Sequence, residues 1–183
     1  MKKILFIFIF FCFSCEHNVK KNINNSMNQR QLMAVDSKQL ISTLHFSSVT
    51  SLDTFKLSID NINLLDNETK VLFSIVNASG KVIFEERYDI NLFKYNCSDT
   101  MGMHKCVLTN LESLFNKSNF DSIAIKRDDI FDEYNLRSSI SQEDWQEAKQ
   151  NQAKGFNLQL EYAVIGLVYI KSKDKVVCYY ICC

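Results

Sequence analysis

The chain of 183 residues balances 21 basic against 21 acidic side chains, with 46% hydrophobic residues, no proline and four glycines. Such a composition excludes collagen-like and low-complexity chains and supplies enough apolar material for a folded core. It carries no basic field to attract nucleic acid, and losing Lys2 and Lys3 with a leader would leave two more acids than bases.

Residues 1–14 read as a signal peptide. Lys2 and Lys3 open it, Ile4 to Phe13 run apolar without a break, and small Ser14 stands before Cys15. A membrane-spanning helix needs about 20 apolar residues, so this run is too short to remain as a span. Residues 15–37 are polar and Asn-rich and cannot bury enough apolar surface to offset their ordering entropy, which predicts a flexible tether. Residues 38–183 then suit one domain.

Within that domain Phe55, Leu57 and Ile59 alternate with polar neighbours and predict the first strand, and residues 61–69 form a turn-rich link. Residues 71–76 and 81–88 predict a hairpin about Asn77-Ala78-Ser79-Gly80, with Gly80 free to take a positive φ and Val82, Phe84 and Tyr88 on a shared face. Val107, Leu108, Leu111, Leu114 and Phe115 recur at helical spacing. Between the helices, the charges at 126–129 and 132–133 predict a solvated loop. A second helix is expected from a Ser141 cap, with Asp144 reaching back to the cap N–H, Trp145 and Ala148 inward and Gly155 as the stop. Strong alternation at 156–164, then runs at 167–171 and 175–182 joined by Ser172-Lys173-Asp174, predict a closing meander. Three strands before the helices and three after predict an α+β domain: a mostly antiparallel sheet of about six strands with two helices packed on one face.

Beyond Cys12 and Cys15 five cysteines remain: Cys97, Cys106, Cys178, Cys182 and Cys183. Export would place them where disulfides form, and Cys97 and Cys106 bracket a short loop that a disulfide would stabilise by about 2–3 kcal/mol. On the last strand Cys178, Tyr180 and Cys182 are expected on one face. The competing reading of Cys97, His104 and Cys106 is a thiol and imidazole ligand set for zinc, completed by Cys182 or Cys183. No paired Cys-x-x-Cys spacing supports it, so no metal or other cofactor is expected. His17 and His45 have no sequence partner that points to catalysis. The acidic group Asp128, Asp129, Asp132 and Glu133 lacks the central glycine of a calcium loop. Tyr162, Tyr169, Tyr179 and Tyr180 are candidates for an exposed aromatic face.

The lysine-led apolar run ending at Ser14-Cys15, the Asn-rich spacer, the Ser-Gly-Lys-Val-Ile-Phe hairpin at 79–84 and the terminal Tyr-Tyr-Ile-Cys-Cys strand resemble the small lipoproteins of Bacteroidota-type bacterial envelopes. That resemblance implies cleavage before Cys15 and lipid, palmitate included, on its thiol. It also implies residence in the cell envelope, at the outer membrane or the periplasmic face of a membrane. Such proteins have no assigned activity, so the resemblance brings no catalytic residue. It does imply O-glycosylation at Asp-Ser/Thr motifs, which Asp99-Thr100-Met101 and Asp121-Ser122-Ile123 fit.

The function expected is that of a membrane-anchored, non-enzymatic module binding a protein or glycan partner. The alternatives are a periplasmic immunity-type inhibitor, or a thiol- or zinc-dependent enzyme using Cys97, His104 and Cys106.

Overall fold

The computed structural model describes residues 38–59, 68–97, 102–132 and 138–182. The first strand, β1 (Lys38–Leu44), pairs antiparallel with β2 (Asp53–Ile59). β2 pairs with β3 (Lys70–Val76), and β3 with β4 (Val82–Asp89), closing a four-stranded sheet in chain order. A second four-stranded sheet follows the helix α1 (Met103–Ser113). It consists of β5 (Phe120–Asp121), β6 (Gly155–Gln159), β7 (Val164–Ile170) and β8 (Lys175–Cys182), all antiparallel, with α2 (Gln142–Gln150) between β5 and β6.

The mixed α+β class stands, but the single six-stranded sheet expected from the sequence is corrected to two sheets of four. The break falls between the edges β4 and β8, which no ladder joins. β4 carries Glu85, Glu86 and Arg87 in succession, all exposed, and such charges keep an edge from pairing. β1 and the two-residue β5 are the added strands.

The helices also part company. Phe55, Leu57, Phe73 and Ile75 of the first sheet meet Phe156, Leu158, Leu167 and Val176 of the second, and α1 adds Val107 and Leu111, with Leu114 at its C-cap, to this shared core. Ring contacts tie the layers, with the Phe55 and Phe156 centroids 5.2 Å apart. α2 instead covers the opposite face of the second sheet, where Trp145 and Ala148 pack with Val168, Ile170 and Tyr179. β7 is therefore buried on both sides, which explains its almost unbroken apolar sequence.

Local chemistry sets the connections. Gly80 has φ +83°, and Asn77 Oδ1 accepts from Ser79 N, Ser79 Oγ and Lys81 N, closing the β3–β4 turn as the sequence predicts. An extra residue at Ile83 shifts the register, so Ile83 is buried while Val82 is 49% exposed. That bulge corrects the expected sharing of one face by Val82, Phe84 and Tyr88.

Ser141 caps α2 by accepting from Asp144 N at 3.1 Å, while the Asp144 carboxylate accepts from Lys173 Nζ at 2.6 Å. Gly155 does not end the helix; it opens β6. The stop is a six-to-one bond from Ala153 N to Ala148 O together with Gln152 N to Lys149 O. It places Gln152 in the left-handed region, at φ 48°.

Candidate binding surface

The residues singled out in the sequence fall in separate places. Cys15, with the signal peptide and tether, lies outside the described residues, as do Asp99-Thr100-Met101, Glu133 and Cys183. Cys97 and Cys106 are joined to each other by a disulfide. Asn110 Nδ2 of α1 donates to Phe93 O at 2.9 Å and Tyr95 O at 2.8 Å beside that bond, pinning residues 93–97 to the helix. Both sulfurs are consumed in the disulfide, so neither is a thiolate able to attack a substrate or bind zinc while it is intact. His104 stands on the first turn of α1, and its Nε2 is buried without a hydrogen-bond partner among the described residues. Among the described residues no group of three or more His, Cys, Asp or Glu side chains is placed to hold a metal ion.

Cys178 is half-buried against the shared core, and burial pushes its thiol up to about 11; Cys182 is exposed. Tyr180 does not share the face of Cys178. Tyr179 is an extra residue opposite the Gly166–Leu167 step, and the resulting bulge turns both tyrosines toward α2. Tyr180 Oη donates to Asn157 Oδ1 at 2.8 Å, and Asn157 Nδ2 donates to Asp121 Oδ2 at 2.9 Å, tying β8, β6 and β5 together. Tyr162 is 74% exposed on the β6–β7 turn. The four tyrosines thus do not form one aromatic face. In the loop before α2, Asp129 Oδ2 accepts from Lys126 N at 2.7 Å, and Ser122 of the second Asp-Ser motif is exposed.

The largest hollow described, about 780 Å³, is a trough along the β4 and β8 edges, with Asp144 and Ser141 at the start of α2. Four of its charges pair with one another. Lys81 Nζ donates to Asp174 Oδ2 at 2.7 Å, and Lys173 pairs with the buried Asp144. The bond from Lys81, and a second from Tyr169 Oη, hold the Asp174 carboxyl below its ordinary range.

A second surface lies at the far end of the sheets from residue 38. Two hollows of about 440 and 420 Å³ meet at Gln152. The first runs between Ile123, Lys126 and Arg127 and the α2 residues Gln146, Lys149 and Gln150. The second lies between the β1–β2 loop and Lys154, Tyr169 and Lys171.

The β1–β2 loop is held rigidly. Buried Asp53 accepts from Phe46 N at 3.1 Å, Ser47 N at 2.6 Å and Ser47 Oγ at 2.7 Å. This closure leaves Val49 83% exposed at the rim. Among the described residues the lining holds five basic residues and no Asp or Glu, in a chain of balanced charge. Lys149 is committed, donating to Asp129 O and lying 4.7 Å over the Trp145 ring, and Lys154 donates to His45 O at 2.6 Å. The side-chain cations of Lys126, Arg127 and Lys171 make no ion pair among the described residues. Sequence reading missed this surface because its members are spread over 46–49, 123–127, 146–154 and 171; only the fold brings them together.

No helix among the described residues is long and apolar enough to cross a membrane. Comparison with protein-family models, curated proteins and solved structures finds no match.

Proposed function

We propose that this chain is a lipid-anchored protein of the bacterial cell envelope whose folded domain is a non-catalytic binding module. The observation that carries the reading is the Cys97–Cys106 disulfide. Such bonds form and persist outside the reducing cytosol, in agreement with the export signal read at residues 1–14 and lipid on Cys15. Two further features support a binding role. The largest hollow described pairs Lys81 with Asp174 and Lys173 with Asp144, and a separate surface presents cations that make no ion pair among the described residues, beside amides and exposed apolar side chains.

The anchor is tested by expressing the full chain and Cys15→Ala with labelled palmitate and separating membranes from soluble fractions. The native chain is expected to carry label and sediment with membranes, whereas Cys15→Ala loses both. Membrane retention of Cys15→Ala to the same extent overturns the lipid anchor.

A further inference from the structure

We infer that the groove at the far end of the sheets docks an extended, acidic segment of a partner protein; this rests on the reading of the domain as a binding module. Lys126 and Arg127 on the loop before α2 and Lys171 at the end of β7 make no ion pair among the described residues, and no acid among those residues lines the groove. Gln146, Gln150 and Gln152 each offer a donor and an acceptor, the pair that a peptide main chain requires. Ile123 and Val49 give apolar side chains a resting place at either end. None of the three cations is buried, so each exposed contact is weak, and useful affinity needs several anions on one chain.

The other occupants fit less well. Residues 16–37 carry Lys20, Lys21 and Arg30 against Glu16 and Asp36, so the tether has the wrong sign. Residue 38 enters β1 at the end opposite the β1–β2 loop, roughly 20 Å away at the rise of a strand. Residue 38 and the groove thus lie at opposite ends of β1, and an acidic segment of another protein is the occupant whose charge the groove suits.

The full-length chain, held in phosphatidylcholine nanodiscs, is titrated with a dye-labelled peptide alternating Glu and Leu. The controls are its Gln/Leu counterpart and polyphosphate. The acidic peptide is expected to saturate one site, and the combined Lys126→Glu, Arg127→Glu and Lys171→Glu changes to weaken it by about tenfold or more. Lys175→Glu, in the other trough, should leave affinity unchanged. Arg127→Glu alone gives a smaller loss and serves if the triple variant unfolds at lower denaturant. Equal binding of the Gln/Leu peptide, equal weakening by Lys175→Glu, or displacement by polyphosphate at matched charge overturns the proposal. The anchor is read out by fractionation, so failure here and failure there are distinguishable.

Discussion

The ring of Tyr180 lies on Gly166: a Cβ built on that glycine would fall 2.1 Å from Tyr180 Cε1 and 2.8 Å from Tyr179 Cε1. Glycine is required here by a close approach, since the bulge at Tyr179 folds two rings over one position. Gly166→Ala should destabilise the domain by about 2–3 kcal/mol, within the range of overpacked cores. In a Tyr180→Ala background the same change should cost less, because the tighter of the two approaches is gone and only that of Tyr179 remains. Chemical denaturation of the four proteins gives the coupling energy; additive costs would place the strain elsewhere.

Gln152 occupies a left-handed position that glycine fills more easily, at φ 48°. Gln152→Gly should stabilise the protein by about 1 kcal/mol, while weakening acidic peptide at the groove that its side chain lines. A shift of the denaturation midpoint upward with affinity downward is the expected pair of results. A midpoint that falls would show that the left-handed conformation is not costly at this site.

Reducing the Cys97–Cys106 bond should lower stability by about 2–3 kcal/mol, the chain-entropy value for a crosslink spanning a sequence separation of 9. The loss should be reproduced by Cys97→Ser with Cys106→Ser. Denaturation with and without dithiothreitol measures it, and the double variant should not respond to reductant.

Alkaline pH should destabilise the folded domain. Burial raises the Cys178 thiol from 9.0 to about 11, and burial is likewise the first cause of the upward shifts at Tyr88, Tyr179 and Tyr180. Each group keeps its proton more firmly when folded than when unfolded. The stabilisation is therefore complete below about pH 9, the unfolded thiol value, and is lost as pH rises through 11, with the tyrosines following above 10. Tyrosinate absorbance and denaturation midpoints from pH 8 to 12 should change together; a flat midpoint through that window would count against the burial.

Sequence patterning revealed the elements better than their arrangement. The Asn77–Gly80 turn and the Ser141 cap were legible because each is decided by a few adjacent atoms. β1 escaped because its phase is blurred. Leu40 and Leu44 pack on the core, but Ile41 is 58% exposed between them and Ser42 interrupts the apolar face. Alternation tells which residues face inward but not which sheet a strand joins, so six strands in one layer and eight in two give nearly the same pattern. The clue to the second arrangement was β7, whose Val164–Ile170 run is too continuously apolar for a strand with one wet face. The bulges at Ile83 and Tyr179 moved Val82 and Tyr180 off their expected faces, since an inserted residue reverses the parity of everything beyond it. For the groove, no local signal exists: Lys171 and Arg127 become neighbours of one surface only after β7 and α2 have packed.

The seam between β4 and β8 is closed by side chains rather than by main-chain rungs, with Lys81 and Asp174 as its described ion pair. The two layers consequently share an oily interior but no continuous backbone lattice. Small opening motions should start along this spine, and amide protons on the outer rims of β4 and β8 should exchange with solvent sooner than those of β2 and β7, which have partners on both sides.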